Sequence, residues 1–227
     1  MANNSPSRPG LIRLVFAEGL GALLLTAAVV GSGIMGERLA SGNLAIALLA
    51  NTAATVTVLA ALIAMFGPIS GAHFNPVITL VALFNRQIGA SHAAAYVLAQ
   101  IAGCCAGAVL ANAMFELPLI QASTHVRTGG AQWLAEFVAT AGLVLIAFTS
   151  PSIKEAAWRV PAWIAGAYWF TASTSFANPA ISVGRSLSDT FAGIRPADAP
   201  GFILAQLVGG VAGALLLRIF AERQAAS

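Results

Sequence analysis

The chain repeats itself. Residues 98–108 read LAQIAGCCAGA and residues 204–214 read LAQLVGGVAGA. Ala17-Glu18 recurs as Ala135-Glu136, and Asn75-Pro76-Val77 recurs as Asn178-Pro179-Ala180. Within each copy the order is the same: two long apolar runs, a shorter stretch broken by proline, and a third long run. Long runs fall near residues 11–35, 43–66, 91–114, 132–149, 161–173 (running on toward 176) and 200–220. Most approach the roughly 20 apolar residues that a bilayer crossing requires. Three crossings per copy is an odd number, so the second copy enters from the opposite face. The repeat is therefore inverted, and its two short stretches dip into the bilayer from opposite sides.

Composition agrees with a chain whose surroundings are lipid. Of 227 residues, 58% are hydrophobic and 8% charged, against about a quarter charged in soluble domains. The 11 basic residues are scattered singly, with no stripe to track phosphates, so nucleic acid is not an expected partner. Cys104 and Cys105 are adjacent inside an apolar run, which suits neither a disulfide framework nor zinc-ligand spacing. No nucleophile–base pair, metal cluster or phosphate-cradling glycine loop stands out. The sequence thus predicts no enzyme, no cofactor and no metal.

The short stretches carry the most specific signal. In each, Asn precedes Pro and a helix-forming segment follows, 77–84 in one and 180–187 in the other. Proline suits the first helical position, where its missing N–H costs nothing. Asparagine is a preferred N-cap, accepting a backbone N–H of the first turn. With that oxygen engaged, the amide NH2 of Asn75 or Asn178 is left to donate. Two such half-helices entering from opposite faces meet at their N-termini near the midplane, directing both positive dipole ends at one lumen. The segment 68–74 is expected to be irregular and to expose carbonyls along the path.

SGAHFNPVITL and SFANPA, at these positions, resemble the two signatures of the major intrinsic protein family of aquaporins and aquaglyceroporins. Val77 stands where that family usually has Ala. The resemblance runs from about residue 11 to 220. It implies an all-α membrane protein of six transmembrane helices plus two re-entrant half-helices in an inverted repeat, assembled as a homotetramer. One channel domain would cover 11–222, with repeat 1 at about 11–114 and repeat 2 at about 132–222. Polar tails would lie at 1–10, expected to be disordered, and 223–227. The function implied is a passive channel for small uncharged polar solutes. An ion-coupled secondary transporter and a mainly water-conducting channel stay open as alternatives.

The resemblance also implies residue roles. Glu18 and Glu136 would be structural, accepting hydrogen bonds from the loop backbones, and His73 would fix the first loop. Counting from the Asn-Pro pairs, the selectivity filter would comprise Thr55, Gly166, Ser175 and Ile181. Most members carry Arg where this chain has Ile181. Losing the guanidinium removes up to five donors and a fixed charge, leaving a wide ring with the hydroxyls of Thr55 and Ser175. Arg185, four residues on and hence on the same helical face, is a candidate vestibule cation or a packing residue. Asn51, four before Thr55, either shares the lumen or bonds a neighbouring helix. The stretch SFANPAIS…GRSLSDTFAGI resembles a bacterial subgroup associated with arsenic resistance, which adds metalloid hydroxides such as arsenous acid to glycerol-like solutes. Basic residues number seven on one side of the proposed topology and four on the other, out of 11. That bias favours both termini in the cytoplasm; the resemblance to a bacterial subgroup implies a bacterial inner membrane.

Overall fold

In a computed structural model, residues 10–225 are described, with side chains through residue 219. Residues 1–9 and 226–227, with Arg8 and most of the expected N-terminal tail, lie outside the described residues. The described chain forms eight helices and no strand: α1 (Leu11–Leu39), α2 (Leu44–Ser70), α3 (Pro76–Phe84), α4 (Ala90–Met114), α5 (Gly130–Thr149), α6 (Ile153–Phe170), α7 (Pro179–Arg185) and α8 (Ala199–Ala225). Long, long, short, long occurs twice. α1, α2, α4, α5 and α8 are long and apolar enough to cross a membrane. α6 is shorter, 18 residues, or about 27 Å, and carries Lys154, Glu155 and Arg159 in its first two turns.

Helix ends follow from local chemistry. Asn43 caps α2 by accepting from the N–H groups of Ala45 and Ile46 at 3.1 and 3.2 Å. Ser152 caps α6, accepting from Glu155 N–H at 3.2 Å. Gly71, at φ 91°, ends α2 in the left-handed region that glycine enters without penalty.

Packing repeats with the sequence. α1 lies against α4, and α5 against α8. Each pair closes over the glycines of the duplicated motif. A Cβ on Gly103 or Gly107 would collide with the carbonyl oxygen of Gly19 or Leu23 on α1. On the other side, a Cβ on Gly209 or Gly213 would press on the carbonyl oxygens of Phe137 and Ala141 on α5, 2.5 and 2.7 Å away. Small residues let two backbones approach where lipid supplies no hydrophobic drive between helices. Outward-facing Leu49, Leu98, Leu204 and Val211 remain exposed, as expected for a lipid-facing surface.

Several boundaries differ from the sequence expectation, among them α1, which runs to Leu39 rather than 35, and α7, which ends at Arg185 rather than 187. α2 continues through Pro68 to Ser70, so the irregular segment is 71–75 rather than 68–74. A proline costs that helix one N–H bond, and the turn resumes when Gly71 N–H reaches the Gly67 carbonyl at 3.0 Å. The fifth crossing begins at Ile153 rather than 161, with Pro161 inside it. α8 runs on to Ala225, into the stretch expected to be a tail.

Candidate functional site: a cavity between two re-entrant loops

The loops before α3 and α7 are built alike. Offsetting by the separation of the two asparagines, Ala72 matches Ser175, Phe74 matches Ala177, and all four have positive φ (51°, 51°, 48° and 47°). Left-handed backbone at non-glycine residues costs about 1–2 kcal/mol each, so something must hold it. Two buried carboxylates do. Glu18 accepts from His73 N–H at 3.0 Å and Phe74 N–H at 2.7 Å. Glu136 accepts from Phe176 N–H and Ala177 N–H, both at 2.8 Å. Both carboxylates are fully buried, and hydrogen bonds to a charged acceptor are worth about 1.5–3 kcal/mol each.

A glutamine completes each brace. Gln100 Nε2 donates to Glu18 at 2.8 Å and to Thr79 of α3 at 2.9 Å. Gln206 Nε2 donates to Glu136 at 2.6 Å and to Ser182 of α7 at 3.0 Å. These are the glutamines of the duplicated LAQ motif. Their recurrence was visible in the sequence, but their role needed a partner three helices away. His73 adds a contact from Nδ1 to the Thr79 hydroxyl, 3.1 Å.

The asparagines cap their own half-helices and tie the two loops together. Asn75 Oδ1 accepts from Val77 N–H at 2.9 Å, and Asn178 Oδ1 from Ala180 N–H at 3.0 Å and Ile181 N–H at 3.3 Å. Asn75 Nδ2 then donates to the Ala177 carbonyl at 2.7 Å, and Asn178 Nδ2 to the Phe74 carbonyl at 2.8 Å. The sequence expectation that both amide NH2 groups are left over for the lumen is thus only half met. Each has spent one N–H on the opposite loop and keeps the second without a partner among the described residues.

That cavity has a volume of about 470 Å³ and both asparagines line it. Ser152 at the start of α6 and Tyr168 near its end also line it, so it follows that helix for about 24 Å. Thr55, Ser175 and Ile181 line it as well, together with His73 and Arg185. Pro76, Val77, Pro179 and Ala180 are buried but stand off the lining; the Val77 side chain turns toward Gly210 of α8 instead. Asn51 is not on the wall either; its amide donates to the Val29 carbonyl and the Ser32 hydroxyl of α1 at 2.7 and 2.9 Å.

Gly166 is a correction. It is exposed on the outer side of α6 and absent from the lining. The cavity face of α6 carries Val160, Ile164 and Tyr168, spaced by four. Position 166 lies two residues from either neighbour, about 200° around the helix. Counting back from Asn178 missed this because it assumed a fixed loop length between α6 and the motif. Helical phase would have found Tyr168. Its hydroxyl faces that of Thr55 at 3.4 Å, so a phenol stands where open space was expected.

Arg185 is 2% exposed and lines the cavity, so it is no surface residue. Its Cζ lies 3.3 Å from the centroid of the Phe176 ring, and its Nε donates to the Ala192 carbonyl. Arg127, from the loop between α4 and α5, stands 5.2 Å from the same ring. Arg127 is pinned by the carbonyls of Gly193, Phe191 and Ser173 at 2.8, 3.3 and 3.4 Å.

Comparison with known proteins agrees with this architecture. Residues 5–159 match the family described as major intrinsic protein. Aquaglyceroporin AqpS of Rhizobium meliloti (strain 1021) is 50% identical over 210 residues, 92% of this chain and 90% of that protein. Aquaporin-5 of Ovis aries is 28% identical over 78% of this chain and 60% of its own length. An X-ray structure of the aquaglyceroporin from Plasmodium falciparum superposes with a TM-score of 0.71 at 18% identity, covering 91% of this chain and 95% of that one; at that identity the likeness speaks for the fold. Six long helices, two asparagine-capped half-helices and the cavity between them have their explanation here: the chain is an integral membrane protein of the major intrinsic protein family, whose members are channels for small solutes.

Proposed function

We propose that the protein is a passive channel for small uncharged polar solutes of glycerol size, including metalloid hydroxides such as arsenous acid. The observation that carries this reading is the chemistry of the cavity wall. Its ionisable lining residues are His73, Tyr168 and Arg185, with no Asp or Glu among them. Ion-coupled transport usually places ionisable groups that exchange a proton or cation beside the substrate. Here the two deep carboxylates, Glu18 and Glu136, are turned into the loop backbones and act as scaffold.

Solutes with hydroxyl groups find alternating partners along the path. Asn75 and Asn178 each retain a donor at the meeting point of two positive helix ends. That potential, together with the guanidinium of Arg185, disfavours cations and protons. At the outer end Thr55, Tyr168, Ser175 and Ile181 form the constriction, apolar on the side of Ile181. Tyr168 makes it narrower than a glycine would, which favours water as a co-permeant and supports a mainly water-conducting channel as the second reading. Support for glycerol-like solutes comes from the relative named aquaglyceroporin, at 50% identity. A homotetramer in a bacterial inner membrane, with both termini cytoplasmic, belongs to the same proposal.

The test is a swelling assay. Proteoliposomes are challenged with water, urea, glycerol, erythritol and arsenous acid gradients. Fast water, glycerol and arsenous acid flux above empty vesicles is expected. Water flux alone would leave the second reading standing in place of the first.

A further inference from the structure

We propose that the outer end of the cavity, around Arg185, is a binding site for a small singly charged oxyanion. This rests on reading the cavity as a solute path, but it concerns a ligand of another charge class. Arg185 is 2% exposed, and its Nε is used by the Ala192 carbonyl. Its two terminal nitrogens have no acceptor among the described residues, although the residue lines the cavity. Ion pairs among the described residues join Arg159 to Glu155 and Arg195 to Asp198, so Arg185 has no carboxylate of its own.

The surroundings add positive charge rather than cancel it. Arg127 is fixed against the same Phe176 ring, 5.2 Å from its centroid, with its side-chain nitrogens on three carbonyls. Glu136 is the carboxylate nearest in the network, and its oxygens already serve Phe176, Ala177 and Gln206. Two guanidinium groups thus face one committed carboxylate. A buried cation without a counter-ion is costly; stacking on Phe176 offsets part of that. An oxyanion offsets more, because two adjacent N–H donors of a guanidinium match two oxygens of one ligand. A further donor is at hand. The Ser175 hydroxyl is buried without any partner, next in the chain to Phe176, and lines the same cavity.

Methanesulfonate is a suitable probe, since it is ionised at all working pH values, and dimethyl sulfone is its uncharged counterpart of similar shape. Saturation-transfer NMR on the purified full-length protein reads binding, and glycerol influx into proteoliposomes reads occlusion. The expected result is saturable transfer to methanesulfonate, none to dimethyl sulfone, and slower glycerol influx with methanesulfonate alone. In Arg185→Gln the half-saturating concentration should rise about tenfold or more, as loss of a charge-assisted pair implies; Arg185→Lys should fall between. Equal response to both probes, no response to either, or unchanged methanesulfonate binding in Arg185→Gln would overturn the site. Methanesulfonate binding without any glycerol flux would uphold the site and sink the channel reading instead.

Discussion

The ring of Phe74 fills the space that a side chain at Gly21 would need: a Cβ built on Gly21 overlaps the ring itself. Phe74 is fully buried and lends its carbonyl to Asn178, so a helix of the first repeat sets how far the first loop can withdraw from the second. Gly21→Ala should push the ring toward the cavity axis. Overpacking of this kind costs about 1–3 kcal/mol. The expected outcome is a lower thermal midpoint in detergent and reduced glycerol flux, whereas Gly89→Ala, where an added Cβ meets nothing, should change neither.

Glu18 and Glu136 hold four loop N–H groups between them. Replacing either by Gln keeps the shape but substitutes an amide donor for one acceptor oxygen, setting N–H against N–H. Each of Glu18→Gln and Glu136→Gln should destabilise by about 1–3 kcal/mol, the desolvation cost of a buried donor left unpaired. Solute flux per folded molecule should fall as well. Urea or thermal unfolding in detergent, paired with vesicle flux, measures both. Wild-type flux in either variant would show that the loop shape survives without its carboxylate.

How much of this was legible beforehand is clear from particular residues. The duplicated Asn-Pro pair disclosed α3 and α7, because capping chemistry is local and needs no knowledge of the fold. Glu18 and Glu136 were visible as a symmetric pair because the Ala-Glu step recurs in both copies, and their role came with the family resemblance. Tyr168 was not, because its place depends on the phase of α6 relative to a loop whose length the sequence does not declare. The cross-donation between Asn75 and the Ala177 carbonyl was equally hidden, being a contact between distant segments. Arg185 was recognisable as lying on the face of Ile181, but its stack on Phe176 depends on where the loop ending in Ala192 closes.

Phase assigns opposite outcomes to two neighbours on α6. Gly166→Leu should leave the solute profile as it is, since position 166 faces outward. Tyr168→Ala should widen the outer end and raise erythritol flux relative to water several-fold. The ratio of the two fluxes in proteoliposomes checks both variants together. A narrowed profile in Gly166→Leu would return that residue to the cavity wall.

The loop between α4 and α5 is tethered to the segment before α8 by Asp198, whose Oδ2 accepts from Arg127 N–H at 2.9 Å and whose Oδ1 pairs with Arg195 at 2.8 Å. The Arg195 side-chain bond, and secondarily the Arg127 N–H, hold its carboxyl below the usual range, against burial. A depressed carboxyl stabilises fully above its ordinary value of about 3.9 and loses that contribution as pH falls through the lowered value. Hydrogen exchange at the Arg127 N–H, the loop amide that Asp198 holds, should therefore stay slow, after correction for intrinsic rates, at pH 5. It should rise only in stronger acid, whereas Asp198→Asn should exchange fast at both.

The reading of this chain as a passive conduit stands or falls on where a solute comes to rest. Purified protein in sealed vesicles, given radiolabelled glycerol outside and an imposed proton gradient, should bring the internal concentration to the external one quickly and no further. Collapsing the gradient with a protonophore should alter neither rate nor endpoint. Glycerol accumulating above the external concentration, and leaking back when the protonophore is added, would contradict it.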